Sequence, residues 1–276
     1  MGNRVLVEVV DHVATVTLNR PDKMNALDPE MFDAISDTGE ALAARSDVRA
    51  VVLRGAGANF SAGLDVSGMG ANALSDFPTQ AFTGLHGTPA NRFQHPVWVW
   101  HAMEIPVIAV IEGVCFGGGF QIASGADIRI GAADTRLSIM ESKWGLVPDM
   151  GMTAVLRGVV RRDVLKRLSW TSEIVDAEQA LQYGLLTEVV ENPSARALEL
   201  ATAIASRSPD AIRAVKGLLD HACDAPAESA LKLEAKAQWA MLQSPNQREA
   251  VMANLQKRAP EFNDPEFSMA SLFDEA

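Results

Sequence analysis

Three consecutive glycines, Gly117-Gly118-Gly119, stand between an apolar run and a predicted helix. Because glycine has no Cβ, the backbone there can approach a ligand closely and direct unpaired N–H groups at it. Such a corner favours an anion, or an oxygen on which negative charge develops. A tight strand-to-helix turn explains the cluster equally well when it is taken alone. A dinucleotide-binding fold is disfavoured, because the full GxGxxG spacing is absent.

A second glycine-containing segment, Phe60-Ser61-Ala62-Gly63-Leu64-Asp65, also follows a short apolar run. Two such corners can face one carbonyl oxygen. When a thioester forms an enolate or a tetrahedral adduct, negative charge grows on that oxygen, and one preorganised N–H donor is worth roughly 3–4 kcal/mol. The two segments together therefore predict an oxyanion hole. Asp65 itself is predicted to cap a turn rather than to act as a catalyst.

The composition excludes several classes of partner. A formal charge of −11 repels a phosphate backbone and no basic stripe offsets it, so we predict no nucleic-acid binding. The chain begins without an apolar signal run and has no stretch long enough to cross a bilayer, which predicts a soluble, cytoplasmic protein without membrane association. Cys115 and Cys223 lack the spacing of a zinc site, so no metal is predicted and both are expected to be small buried hydrophobes.

The elements that would position the two corners alternate between strand and helix, which predicts an α/β fold. Asp28 is a predicted N-cap, because Pro29 and Glu30 follow it in the first turn of an amphipathic pattern. A hairpin is predicted at residues 11 and 12, between the first two strands. The predicted strands cover residues 4–10, 13–18, 50–53, 106–111 and 128–130, and the predicted helices among them cover about 28–45 and 120–126.

The chain divides into three predicted regions. Residues 1–194 carry the strand signals and form the predicted catalytic core, residues 195–258 hold helical patterns, and residues 259–276 form an irregular acidic tail. The helical patterns of the second region cover residues 195–206, 209–221, 228–242 and 246–257. Within the core, residues 67–100 form a long connection without a clear period, which is typical of a lid or binding loop.

Several other side chains carry weaker signals. His86, His95 and His101 lie in or beside the long connection, where a histidine is more often an ordinary loop residue than a group that reaches a pocket. Trp144 can line an acyl pocket, although large aromatic side chains are usually core residues. Met150 and the methionine two residues later are predicted to pack in the core.

Ordered motifs along nearly the whole chain resemble the enoyl-CoA hydratase/isomerase, or crotonase, superfamily. The motifs are, in chain order, Asn19-Arg20-Pro21 with Asn25-Ala26-Leu27, Phe60-Ser61-Ala62-Gly63-Leu64-Asp65, Ala109-Val110-Ile111-Glu112-Gly113 leading into the three glycines, Gly145-Leu146-Val147-Pro148-Asp149, Gly184-Leu185-Leu186 and Lys257-Arg258-Ala259-Pro260. The resemblance implies an acyl-CoA substrate. Coenzyme A would then arrive as part of that substrate, with no separate cofactor.

The resemblance also implies a fold and a set of binding residues. The fold is a crotonase-like spiral of ββα units, with C-terminal helices that pack into homotrimers, often paired into hexamers. By position, the oxyanion-hole N–H groups would be those of Ala62 and Gly118. The backbone near Met24 and Ala26 would hold the adenine and pantetheine parts of CoA, together with Ala62, Gly63, Leu64 and Asp65.

The acid/base groups that the resemblance implies depart from the hydratase pattern at one position. Family hydratases use two glutamates around a water; Glu141 corresponds to the second, but Gln121 stands in place of the first. An amide cannot exchange a proton near neutral pH, and losing a positioned acid/base group costs about 10²–10⁴-fold. One carboxylate is enough to move a proton from the α-carbon of an enoyl thioester to a carbon further along. The favoured prediction is therefore double-bond isomerisation of an enoyl- or dienoyl-CoA.

Asp149 supports this prediction and also opens alternatives to it. Family isomerases that act on dienoyl thioesters carry an aspartate eight residues after the glutamate, as Asp149 follows Glu141. The same spacing occurs in the family's 3-hydroxyisobutyryl-CoA hydrolases, so thioester hydrolysis stays open. Asp149 can also be the N-cap of a helix that begins near Gly151. Hydration despite Gln121, and acyl-CoA binding without catalysis, are the remaining alternatives.

Overall fold

The computed structural model describes residues 3–65, 82–267 and 272. Its strands are β1 (Val5–Val10), β2 (Val13–Leu18), β3 (Ala50–Gly55), β4 (Val107–Ile111), β5 (Val114–Phe116), β6 (Ile128–Gly131), β7 (Arg136–Ser138), β8 (Val175–Asp176) and β9 (Glu188–Val189). Six of them form one sheet in the order β1-β2-β3-β4-β6-β9. In this sheet β1 and β2 pair antiparallel and the other neighbours pair parallel. The predicted α/β class is confirmed.

The first two strands form the predicted hairpin. Asp11 (φ 48°) and His12 (φ 68°) both adopt the left-handed conformation that a two-residue type I′ turn requires. The hairpin places β2 between β1 and β3, where Val16 pairs with Val7 on one side and with Leu53 on the other. The N-terminal hairpin therefore forms one edge of the large sheet.

A second sheet of three strands, in the order β5-β7-β8, carries the glycine cluster. β5 ends at Phe116, directly before Gly117, and pairs in parallel with β7. The sequence analysis did not predict this sheet, because strands of two or three residues are too short to show a period-two pattern. A bridge between Ser61 and Cys115 connects the other predicted corner to the same strand.

The described helices are α1 (Pro29–Ala43), α2 (His95–Ala102), α3 (Gly118–Ser124), α4 (Met152–Val155), α5 (Arg162–Thr171), α6 (Ala177–Gln182), α7 (Pro193–Ala205), α8 (Pro209–Ala222), α9 (Ala227–Gln243) and α10 (Pro245–Gln256). Asp28 caps α1 as predicted, because its carboxylate accepts a hydrogen bond from the N–H of Met31 at 2.9 Å. The predicted helices are confirmed within a few residues of their ends. Helices α2, α5 and α6 were not predicted, and α4 begins next to Gly151, where a helix start was considered.

Helix α7 covers one face of the large sheet. Its alanines Ala197, Ala201 and Ala205 recur every four residues, so they share one helix face, and they cluster with sheet residues such as Ile108 and Val110. The small side chains let the helix lie close to the strands. The predicted boundary between residues 194 and 195 therefore falls inside a helix that packs on the core sheet.

The predicted long connection at residues 67–100 ends earlier than predicted, because a helix begins at His95. Residues 66–81 lie outside the described residues, but His95 begins helix α2, and His95 and Trp100 are fully buried. The prediction of a loop is therefore wrong for residues 95–100. Their apolar neighbours gave no clean helical period, because this helix is buried on several sides.

The tail is irregular over residues 259–267, as predicted, and it docks on the rest of the molecule. The carboxylate of Asp264 accepts a hydrogen bond from the Ser46 hydroxyl at 2.6 Å, and the N–H of Glu266 donates to buried Asp210 at 2.8 Å. Asn246, also buried, donates to the same Asp210 at 2.7 Å. The segment therefore ties the end of α1 to the C-terminal helices.

The two cysteines differ in burial. Cys115 is fully buried, but Cys223 is exposed at the end of α8, so the prediction of a buried thiol is wrong for Cys223. Among the helices that the structure describes, none combines the length and the apolar character needed to span a bilayer.

Candidate active site

The two predicted corners lie against each other. The N–H of Ser61 donates to the carbonyl of Val114 at 3.1 Å, and the N–H of Phe116 returns a bond to Ser61 at 3.0 Å. A Cβ atom at Gly63 would lie 2.5 Å from the Phe116 carbonyl oxygen and 3.4 Å from the nitrogen of Gly118. Gly63 also has φ +83°, a left-handed conformation that glycine adopts without strain. Only a glycine allows this approach.

The N–H of Ala62 is not a free donor. It donates to the carbonyl of Met24 at 2.8 Å, so the prediction that Ala62 supplies an oxyanion-hole N–H is wrong. The N–H of Gly63 also has an acceptor, the Ser61 hydroxyl at 3.2 Å. The corner must therefore present a different peptide group to a ligand.

Leu64 supplies that group. Leu27 pairs with the peptides on both sides of it, since the Leu27 N–H donates to Gly63 at 2.8 Å and its carbonyl accepts from Asp65 at 2.9 Å. The N–H of Leu64 therefore points away from Leu27. Neither it nor the N–H of Gly118, the first residue of α3, has a hydrogen-bond partner among the described residues. Leu64 and Gly118 are the candidate donors.

The segments predicted to hold CoA are tied together by Arg20. Its guanidinium donates to the Asp65 carboxylate at 2.7 Å and to the Ala26 carbonyl at 3.2 Å. Asp65 therefore joins two loops through an ion pair, in addition to its backbone bond with Leu27. Met24 is 48% exposed and Leu64 is 38% exposed, which leaves apolar surface at the mouth of the corner for a ligand.

The side chain of Asn25 connects the Arg20 loop to the segment that precedes Phe60. It is fully buried in a left-handed conformation (φ 52°), and its amide donates to the carbonyls of Ala56 and Asn59 at 2.9 and 2.8 Å. Its side-chain oxygen accepts from the N–H of Arg20 at 2.9 Å. Asn25 and Arg20 belong to the motifs that resemble the family, but their sequence context predicts no role for either. Their partners lie up to 45 residues away, and a single sequence gives no sign of such pairings.

Gln121 and Glu141 are in direct contact. The Gln121 amide nitrogen donates to Glu141 Oε1 at 2.6 Å, and the Gln121 oxygen accepts from the N–H of Met150 at 3.0 Å. Gln121 is 1% exposed on α3, whereas Glu141 begins the 3₁₀ turn Glu141–Trp144. The second carboxylate oxygen, Oε2, is buried and has no partner among the described residues. Oε2 is thus the oxygen available for proton transfer.

The carboxylate of Glu141 lies beside the glycine cluster. A Cβ atom at Gly117 would be 3.6 Å from Glu141 Oε1, and Gly117 itself donates its N–H to the carbonyl of Ser138 at 2.9 Å. Burial raises the pKa of Glu141, and the charge of Asp149 raises it further, while the hydrogen bond from Gln121 opposes the shift. A carboxylate with a raised pKa next to free N–H donors can accept and return a proton.

Asp149 does not cap the helix that follows it. Helix α4 begins at Met152 with Gly151 as its N-cap (φ 100°), and no side chain caps it, so the interpretation of Asp149 as an N-cap is wrong. Although Asp149 keeps solvent contact, desolvation by the surrounding protein raises its pKa. Met150, next to it, is buried as predicted. Asp149 is close enough to Glu141 for their charges to interact.

The other side chains singled out in the sequence are one tryptophan and three histidines. Trp144 is 56% exposed, with the Lys143 ammonium 5.7 Å from its ring. His95 lies 2.9 Å from the carboxylate of Glu40 on α1, without hydrogen-bond geometry, and burial lowers its pKa. The rings of His86 and His95 are 4.9 Å apart. His101 packs 5.3 Å from Trp98, near charged groups of α8. The histidines therefore contact α1 and α8.

Comparisons with known proteins identify the family of the chain. The sequence model of the family described as enoyl-CoA hydratase/isomerase matches residues 8–265. The chain is 34% identical to (E)-benzylidenesuccinyl-CoA hydratase of Thauera aromatica, over 94% of this chain and 98% of that protein. It is 30% identical to mitochondrial Delta(3,5)-Delta(2,4)-dienoyl-CoA isomerase of Mus musculus, over 90% and 77%. A solved enoyl-CoA hydratase from Polaromonas sp. JS666 superposes with a TM-score of 0.83 at 26% identity, over 94% and 99%.

Proposed function

The chain belongs to the enoyl-CoA hydratase/isomerase family and has its crotonase fold, and on this premise we propose that it shifts the double bond of an enoyl- or dienoyl-CoA. The observation that carries the proposal is the pairing of Gln121 with Glu141. An uncharged amide occupies the position beside the carboxylate and donates to Oε1, which leaves Oε2 of Glu141 as the one free acid/base atom of the pair. A pair of this kind suits a reaction in which one group removes and returns the same proton.

The proposed mechanism uses the two corners and Glu141 in sequence. The thioester carbonyl oxygen accepts hydrogen bonds from the N–H groups of Leu64 and Gly118. Glu141 removes a proton from the α-carbon, and the electron pair of that C–H bond delocalises onto the carbonyl oxygen as an enolate. The protonated carboxyl then gives the proton to a carbon further along, which moves the double bond into conjugation with the thioester. Asp149 serves as a second carboxylate for the longer transfer in a dienoyl substrate.

Hydration of a 2-enoyl-CoA is the second candidate. A relative of this chain is named as a hydratase, and the free Oε2 of Glu141 is able to bind a water. Gln121 limits this reaction, because its amide can orient the water by a hydrogen bond but cannot exchange a proton with it. Thioester hydrolysis and binding without turnover are the other outcomes against which the proposal is tested.

The test compares rates on 2-enoyl, 3-enoyl, 3,5-dienoyl and 3-hydroxyacyl thioesters, together with exchange of α-protons in D₂O. We expect isomerisation to exceed hydration, and exchange to occur because the enolate is formed. Faster hydration than isomerisation would overturn the ranking. Tight binding of acyl-CoA without exchange or turnover would instead identify a non-catalytic binder, and release of free CoA would identify a hydrolase.

Replacement of Gln121 by Glu tests whether the amide limits hydration. A second carboxylate beside Glu141 can exchange a proton with a bound water, so we expect the Gln121→Glu variant to hydrate 2-enoyl-CoA about 10²-fold faster than the unmodified protein. Gln182→Glu, at an exposed position of helix α6, is the matched control, because it adds the same charge outside the site. Equal hydration rates in the Gln121→Glu variant and in the unmodified protein would show that the amide is not limiting.

A further inference from the structure

The turn that carries Glu141 has little apolar packing of its own. Residues 142–144 of the 3₁₀ turn Glu141–Trp144 are exposed, and Glu141 itself is only half-buried although its Oε2 atom is covered. The turn ends at Gly145 in a left-handed conformation (φ 70°), and the N–H of Leu146 donates back to the Glu141 carbonyl at 3.0 Å. Because apolar burial is the usual source of rigidity, the position of this turn depends on its hydrogen bonds to neighbouring elements.

Ser172, which follows α5, makes the hydrogen bonds that hold the turn. Its hydroxyl accepts from the N–H of Lys143 at 3.1 Å, an N–H that is shared with the Met140 carbonyl at 3.2 Å. The hydroxyls of Ser172 and Ser142 are 2.7 Å apart, and Ser142 reaches the Trp170 carbonyl at 3.5 Å. These hydrogen bonds are mutually compatible: the Ser172 hydroxyl accepts from Lys143 and donates to the Ser142 hydroxyl, which in turn donates to the Trp170 carbonyl.

The backbone of Ser172 connects the same turn to the glycine corner. Its carbonyl accepts from the hydroxyl of Ser138 at 3.1 Å, and the carbonyl of Ser138 accepts the N–H of Gly117 at 2.9 Å. Ser138 is buried at the end of β7, so this link is protected from competing water. A continuous set of hydrogen bonds therefore runs from Gly117, beside the oxyanion donors, to the turn that begins with Glu141.

We propose that Ser172 is a positioning residue, which fixes the carboxylate of Glu141 at a constant distance from the N–H donors of Leu64 and Gly118. Gln121 holds the carboxylate at its tip, and Ser172 holds the backbone from which it projects. The inference rests on the proposed function of Glu141 as the proton-transfer group. A shift of the turn by about 1 Å would misplace Oε2 relative to the α-carbon, and misplacements of that size cost on the order of 10²-fold in rate.

The Ser172→Gly variant removes the hydroxyl without straining the backbone. Ser172 has φ 51° at the C-cap of α5, where glycine is the preferred residue, so the helix end is expected to persist. We expect kcat on the thioester that the unmodified protein turns over to fall about 10- to 100-fold. KM is expected to change little, because Met24 and Leu64, which are predicted to contact CoA, are untouched.

Two further variants separate positioning from general stability. Ser172→Asn tolerates the left-handed backbone and supplies an acceptor for the N–H of Lys143, so it should recover most of kcat. Ser206→Gly is the control, because it also removes a serine hydroxyl at a helix C-cap, that of α7, where the hydroxyl donates to the carbonyl of Ala203 at 2.7 Å. This control should leave kcat unchanged. A loss of thermal stability in Ser172→Gly without a loss of kcat would show a merely structural serine.

A second measurement keeps the test independent of turnover. The Glu141 carboxyl can be titrated by ¹³C NMR, with Glu141→Gln used to assign its signal. If the turn moves outward in Ser172→Gly, the pKa of Glu141 should fall toward its ordinary value as solvent returns. An unchanged titration together with an unchanged kcat would overturn the proposal. If the unmodified protein turns over no thioester, the proposed function fails, and the titration alone then decides whether Ser172 positions Glu141.

Discussion

The carboxylate of Glu141 is held in the folded protein at an energetic disadvantage, because burial raises its pKa above the value in the unfolded chain. A carboxyl group with a raised folded-state pKa contributes its full stability below the unfolded pKa, where it is protonated in both states. That contribution is lost as the pH rises through the folded-state pKa. The same group must be ionised to remove a proton. The pH range that favours the proposed reaction is therefore the range in which Glu141 weakens the fold.

We predict that Glu141→Gln increases the free energy of unfolding at pH 7 and lowers turnover by about 10²–10⁴-fold. Glutamine keeps the oxygen that accepts from Gln121 but removes the buried charge. The gain in stability should shrink as the pH falls, and vanish below about pH 4, where the carboxyl is protonated in both states. Denaturant unfolding at both pH values measures this. Glu8→Gln, at an exposed position of β1, is the control, and an equal gain in both variants would contradict the prediction.

The assignment of the oxyanion-hole N–H to Leu64 instead of Ala62 shows what a sequence can predict about single residues. The glycines and Glu141 stand out because their residue types restrict conformation and chemistry. The direction of a particular N–H depends on the partners of the peptides around it. Here the bridge to Leu27, more than thirty residues earlier in the chain, turns the Leu64 N–H away from Leu27, and Met24 occupies the N–H of Ala62. Those pairings have no local signal.

At the scale of elements, the site depends on two strand-to-turn connections that touch. Gly63 approaches the end of β5 so closely that a side chain there would overlap the Phe116 carbonyl, 2.5 Å from the Cβ position. This contact forms because Ser61 bridges Cys115 of β5, a strand of the three-stranded second sheet. Sequence patterns predicted the long strands and most helices, because each of these shows several periods of alternation. Short strands and the one-turn helix α4 show none, and their positions follow from long-range pairing.

We predict that Gly63→Ala lowers turnover by about 10²–10³-fold, as expected for the loss of one oxyanion donor. The added methyl group must push the Leu64 peptide away from Gly118, so the two N–H groups no longer converge. Gly158→Ala is the matched control: Gly158 also has a positive φ (+74°), but the nearest atom to its Cβ position is 3.8 Å away. Steady-state kinetics on both variants, with CoA binding measured in parallel, checks this. Equal losses would indicate backbone strain alone.

At the scale of the whole molecule, the C-terminal helices expose several large apolar side chains. On α9 the exposed side chains Leu231, Trp239 and Leu242 recur at spacings of eight and three residues, which places them on one helix face. They are 63%, 66% and 51% exposed. Apolar surface of this kind favours self-association. We therefore propose that the chain forms a homotrimer, alone or as a pair of trimers, as the family resemblance implies.

We predict that light scattering coupled to size-exclusion chromatography gives a mass of three or six chains. The double variant Leu231→Glu with Leu242→Glu should shift the mass to that of one chain, because each glutamate would have to be buried without a partner in the interface. Leu198→Glu, at a 52% exposed position of α7, is the control outside this face. A monomeric unmodified protein would remove the trimer proposal, and an unchanged mass in the double variant would locate the interface elsewhere.

The docked segment at residues 262–266 also bears on the order in which the chain assembles during synthesis. Ser46 emerges from the ribosome 218 residues before its partner Asp264, and Asp210 emerges 56 residues before the Glu266 N–H that it accepts. Because domains generally form from the N-terminus while translation continues, the large sheet can be complete before the segment exists. Until then Asp210 and Asn246 can bond each other but lack their hydrogen bonds to the backbone of Asn263 and Glu266. Docking of this segment is therefore expected to follow formation of the large sheet.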